Sequence, residues 1–199
     1  MKGFREVCHG IPLYLLIAEI VLSFGAAMSI GMTGFYFAKK FRVQSNALGT
    51  INGVTNLAMA GLTLLTPKIS ARVGHPIVAY IALCSTSIPL LIAITYAPTL
   101  DVAANIYIIR TVLMNVASPL YAAFTMKVVD SSVRGKMSSA LILVGVGGRM
   151  VGSLVGGWLM DIDIDSPFRA TAIVYTLYLA LLYLLIVKKN SGKAISYRV

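Results

Sequence analysis

Three ionisable side chains fall in the middle of long apolar runs: Glu19, Arg110 and Arg149. An ionisable group at the bilayer centre costs at least ~2.5–3.5 kcal/mol even on the lenient insertion scale, so each marks a candidate functional position. A carboxylate near guanidinium groups suits one chemistry: holding an anionic group while a proton is gained and lost. Desolvation disfavours the charged carboxylate and a neighbouring arginine favours it, and that competition is what a proton-coupled switch needs. At a rise of about 1.5 Å per residue, Glu19 lies ~10 Å, Arg149 ~17 Å and Arg110 ~20 Å from the inner membrane boundary. The spacing allows a Glu19–Arg149 bridge and leaves Arg110 a longer reach. Such a bridge either only fixes helix packing, or stands in a hydrated vestibule where the arginines attract an anion and Glu19 carries a coupling proton.

Uncharged residues add to this set. Asn52 and Asn56 sit one turn apart, with Gly49 and Ala60 continuing their face, and either join helices or line an aqueous path. Tyr107, Met114 and Tyr121 share the Arg110 side of their helix, whereas Asn115 falls ~140° away and is expected at an interhelical contact. Gly148, Gly152 and Gly156 form a double G-x-x-x-G stripe that lets another helix backbone approach closely. Pro89 and Pro119 interrupt the backbone bonding of their helices and favour kinks.

Other chemistries lack their parts. His9, His75, Cys8 and Cys84 are isolated from one another, so no metal site, disulfide framework or cofactor is expected. Neither G-x-S-x-G nor H-E-x-x-H occurs, and the sequence is not expected to encode an enzyme. Net charge is +10, yet the basic residues are scattered between apolar runs and form no nucleic-acid face. The 199 residues are 58% hydrophobic and 12% charged, about half the usual charged fraction of a soluble domain.

The elements that must position these residues are membrane helices, each needing roughly 20 apolar residues to cross the hydrocarbon core. Six spans are predicted: about 11–38, 47–66 (capped by Ser45 or Asn46 and ended by Pro67), 76–97, 102–128, 136–160 and 167–187. Residues 1–10 form a linker-like segment, 11–188 the six-helix domain and 189–199 a basic tail. With the N-terminus inside, eleven Lys and Arg residues fall on inner segments and four on outer ones. The positive-inside rule then places both termini in the cytoplasm of a plasma-membrane protein, with Lys39, Lys40 and Arg42 as the dissenting cluster. The third and sixth spans carry no charge within the core, the pattern of lipid-facing helices. A blank helix third in each set of three points to a 3+3 inverted repeat.

The loop 67–76 resembles a degenerate copy of the signature loop G-x-x-x-D-R-x-G-R-R of the major facilitator superfamily. It keeps Arg72 and Gly74, while Ala71 replaces the aspartate and His75 and Pro76 replace the basic pair. Ser118-Pro119-Leu120, followed by Val129-Asp130, Arg134-Gly135 and Ser138-Ser139, is similar to the fourth helix, cytoplasmic loop and fifth helix of that family's second half. The glycine stripe and the opening Phe4-Arg5-Glu6-Val7 resemble its glycine-rich helix and its inter-half linker. The resemblance implies an all-α membrane protein, half of a twelve-helix fold, moving a small solute by alternating access. It implies a cavity lined by the first, second, fourth and fifth helices, set against a second six-helix domain or a second copy of the chain. It also implies a cytoplasmic gating role for Arg72, Gly74, Arg134 and Gly135. Membrane lipid and a small solute or ion are the expected partners. The alternatives are a channel-like or non-transporting membrane subunit, or a remnant of a truncated transporter gene.

Overall fold

The structure, a computed structural model, describes residues 10–64 and 76–192. Seven α-helices follow one another: α1 (Ile11–Ser29), α2 (Thr33–Phe41), α3 (Ser45–Thr63), α4 (Pro76–Thr95), α5 (Leu100–Val128), α6 (Arg134–Ile162) and α7 (Ser166–Gly192). Short 3-10 turns join α1 to α2 (Ile30–Met32) and precede α6 (Ser131–Val133). Among the described residues no strand occurs. The linker-like segment before Gly10, the loop carrying Arg72 and Gly74, and the end of the basic tail lie outside the described residues.

Local chemistry accounts for the helix ends. Pro12 sits in the first turn of α1, where its missing N–H leaves no bond unmade. The Thr99 side chain accepts a hydrogen bond from the Val102 amide (3.4 Å), and Asp101 lies in the first turn of α5, near the positive end of its dipole. Arg42 ends α2 in the left-handed region at φ 53. The expected cap of α3 differs: Ser45 is already helical and Gln44 is the cap residue, making no side-chain capping bond.

The first predicted span is not one helix. It breaks at Ile30–Met32, a single 3-10 turn in which the Thr33 amide bonds the Ile30 carbonyl, and resumes as α2; the Thr33 hydroxyl adds bonds to the carbonyls of Ser29 (3.2 Å) and Ile30 (3.0 Å). The second span also differs from expectation. Five stretches are long and apolar enough to cross a membrane (11–41, 77–95, 100–128, 131–162 and 166–184), and α3 is not among them. Its asparagines, threonines and glycines lower its hydropathy.

Side chains pack into two clusters stacked along the bundle. One gathers Leu15, Tyr80, Cys84, Phe124, Met137 and Tyr178 at one end. The other gathers Tyr36, Phe37, Leu91, Tyr107, Phe168 and Tyr175 at the opposite end. The most extensive helix contact is α1 on α6, followed by α4 on α5 and α1 on α7. The α3 helix leans on α5 and buries Thr55 alone among its residues, so most of its surface has no neighbour within this unit.

Candidate functional site

A small polar cluster is built where α1 crosses α6. The Ser23 hydroxyl donates to Glu19 Oε1 at 2.9 Å, one turn along α1. Gly145 faces them: a Cβ placed there would lie 3.0 Å from Glu19 Oε1, 3.2 Å from Ser23 Oγ and 3.6 Å from Arg149 Nη1. The carboxylate, hydroxyl and guanidinium thus converge on one glycine that leaves room for them. Glu19 is half-buried and Arg149 exposed. The ion pairs among the described residues are Lys40–Asp165 and Arg169–Asp163, so Glu19 and Arg149 sit side by side without closing a direct bridge. Tyr121 flanks the cluster, within the electrostatic reach of Glu19. Its ring stacks on Tyr80 at 5.2 Å, and its hydroxyl is buried with no hydrogen-bond partner.

The glycine stripe holds this crossing together. Gly148 packs on the Ile20 carbonyl, and a Cβ at Gly152 or Gly156 would overlap the carbonyl oxygens of Phe24 or Met28. Each step of four residues on α6 matches a step of four on α1. The two helices therefore run parallel in register.

Arg110 does not join that cluster. It is 2% exposed and lies in the layer between the two hydrophobic clusters. Its Nε donates to Ser87 Oγ (2.8 Å) on α4 and its Nη2 to the Tyr175 hydroxyl (3.0 Å) on α7, with the guanidinium 5.4 Å from the Tyr175 ring centroid. Sequence reading grouped Arg110 with Arg149 in one vestibule; α4 and α7 instead supply hydroxyl acceptors that enclose it. Tyr107, placed on the same wall by helical spacing, packs edge-on against Phe37 at 5.8 Å. Asn115 makes no interhelical bond and donates to the Thr111 carbonyl of its own helix (2.8 Å).

Asn52 and Asn56 are exposed on the open face of α3, beside Gly49 and Gly53, which have no atom within 4 Å of an added Cβ. Arg134 is exposed and its Nε donates to the Val129 carbonyl (3.2 Å), bracing the turn between α5 and α6. The Gly135 carbonyl accepts from Ser139 Oγ at 3.2 Å. Arg72 and Gly74 lie outside the described residues.

A further network joins the opposite end of the bundle and was visible in the sequence only as a charge anomaly. Lys40 Nζ bonds Asp165 Oδ1 (2.7 Å), the Tyr36 hydroxyl (2.9 Å) and the Thr95 carbonyl (2.6 Å), and Tyr36 itself donates to Asp165 at 2.6 Å. One member of the dissenting cluster is thus spent on a partly buried ion pair at the C-terminal end of α4. Ser87 and Tyr175 carry no charge, so nothing in the sequence singles them out. Ser23 was findable, standing four residues from Glu19.

A family profile described as Major Facilitator Superfamily matches residues 4–198. No curated protein and no solved structure matches the chain.

Proposed function

Because the chain belongs to the Major Facilitator Superfamily, a transporter family, and is a multi-pass membrane protein, we propose that it moves a small solute across the plasma membrane by alternating access. It does so with a second six-helix unit, either another domain or a second copy, and both termini face the cytoplasm. The six spans form a 3+3 inverted repeat within residues 11–188. The observation that carries this reading is the Glu19–Ser23–Arg149 cluster, a carboxyl group and a guanidinium held adjacent but unbonded at a helix crossing, with Glu19 half-buried and Arg149 exposed. Arg149 draws the anionic part of the solute, and Glu19 exchanges the coupling proton, alternately bonded to Ser23 and drawn toward Arg149. Tyr121 offers its unpartnered hydroxyl to the same space, and Asn52 and Asn56 line the path on the open face of α3. The stripe of Gly148, Gly152 and Gly156 keeps α1 and α6 moving as one body. Arg72, Gly74, Arg134 and Gly135 belong to the cytoplasmic gate. Arg110 has a separate role: with two hydroxyl partners and 2% exposure it braces α4, α5 and α7 and does not meet solute.

Cysteine scanning tests this division in a background lacking Cys8 and Cys84. Cysteines at positions 19 and 149 should react with a hydrophilic, membrane-impermeant thiol reagent, and one at 110 should not. Inert cysteines at both 19 and 149 would remove the vestibule. In proteoliposomes, Glu19→Gln should abolish proton-driven uptake while membrane insertion stays intact. Uptake at the wild-type rate and pH dependence would remove Glu19 as the coupling group.

A further inference from the structure

A groove of about 340 Å³ follows the seam between α4 and α7, on faces turned away from the polar cluster. Ile88 and Ile92 line it from α4, and Ile173 and Thr176 from α7, with Tyr96 and Arg169 at one end. The Thr176 hydroxyl is bonded to the Ala172 carbonyl of its own helix (2.9 Å), so the lining presents carbon along its depth. Positions 88, 92 and 96 span eight residues, a length of ~12 Å. That approaches the depth of one leaflet, half of a core about 30 Å thick. The charged end lies where α4 stops at Thr95 and α7 starts at Ser166, the level at which Tyr and Arg anchor a membrane protein. An apolar channel one leaflet deep, with a cation at its mouth, has the shape and polarity of a phospholipid.

We propose that this groove holds one acyl chain of a bilayer phospholipid whose phosphate sits on Arg169. The guanidinium is available for it: Arg169 Nη1 makes an exposed pair with Asp163 Oδ2 at 3.1 Å, with side chains 52% and 42% accessible. Such a pair is weak, and the fork of arginine keeps further donors for a phosphate. The exposed faces of α3 and α6 differ from it: α3 carries Asn52 and Asn56, and the guanidinium of Arg149 on α6 lies beside the Glu19 carboxylate. The lipid would fasten α4 to α7, the two helices that hold Arg110 from outside.

The test uses the full chain, delipidated in mild detergent and titrated with phosphatidylglycerol while bound lipid is counted by native mass spectrometry. Wild type should hold one phosphatidylglycerol through the dilution that strips loosely bound lipid. Arg169→Gln, which removes a charge-assisted contact, should weaken binding about tenfold. Asp163→Asn should tighten it by freeing the guanidinium. Thr176→Trp should eliminate the bound lipid by filling the groove from an exposed position, and Ile173→Trp serves the same purpose if that variant melts early. Equal lipid retention in all variants would overturn the proposal. Competition by water-soluble glycerophosphoglycerol as effective as that by the lipid would also overturn it, because the site would then bind an anion alone.

Discussion

At Arg110 the surrounding hydroxyl groups decide the consequences of substitution. Ser87 and Tyr175 take up its Nε and Nη2 hydrogens, and no carboxylate among the described residues pairs with it. Removing one acceptor leaves a buried cation short of a bond, a loss of about 1–3 kcal/mol. Replacing the cation by an apolar residue of similar volume removes its desolvation cost as well, and such exchanges are often neutral or stabilising. Ser87→Ala should therefore melt below the wild type in detergent, while Arg110→Met should melt no lower. The opposite order would show that the charge itself contributes to the packing. In the sequence, Arg110 was conspicuous as a charge in an apolar run, but its partners were not, since a serine and a tyrosine blend into any membrane helix. Lys40 shows the complementary case. It was legible as a cation on the wrong side of the membrane, and only three-dimensional proximity to Asp165 and the Thr95 carbonyl explains it.

Helix by helix, the small-residue spacing on α6 was the most legible feature, and it meets α1 where the four-residue period requires. Backbone meets backbone at Gly152, whereas Gly147, on the same helix, has no atom within 4 Å of an added Cβ. Gly152→Ala should reduce resistance to unfolding in sodium dodecyl sulfate by about 1–3 kcal/mol, the usual cost of overpacking a tight contact. Gly147→Ala should be neutral, and a matched loss in both variants would mean that helix propensity and not contact governs the effect. The interruption of the first span was not legible, because a 3-10 turn at Ile30–Met32 changes the backbone bonding and leaves the hydropathy pattern continuous. The α3 helix was placed within a few residues. Its weak hydropathy follows from the same Asn52 and Asn56 that made it a candidate wall of the pathway.

At the scale of the molecule, α3 and α6 present broad faces without neighbours among the described residues. They carry Leu57 and Leu154, at 75% and 76% exposure, together with Asn52, Asn56 and Arg149. A surface that mixes leucines with amides and a guanidinium suits a protein partner better than hydrocarbon, which is why the second six-helix unit belongs in the proposed mechanism. In the orientation proposed above, the Lys40–Asp165 pair neutralises one of the few basic residues on the outer side. A cysteine replacing Arg42, an exposed residue at the end of α2, should be modified from outside intact cells, and one replacing Ser196 only after permeabilisation. Reversed labelling would invert the proposed orientation. Apolar length and prolines placed the helices approximately: six were expected where seven occur among the described residues, and Ser45 is helical and not the cap. The way they pair was not legible, because parallel contact between α1 and α6 joins segments more than a hundred residues apart.

The Arg110 layer also bears on biogenesis. During synthesis, α5 leaves the ribosome after α4, so Ser87 is already at hand when the arginine reaches the translocon. Tyr175 arrives only with the final helix. Until then the guanidinium has one of its two hydroxyl partners. The last helix thus completes the layer: a chain that stops before residue 175 leaves the buried guanidinium short of one acceptor.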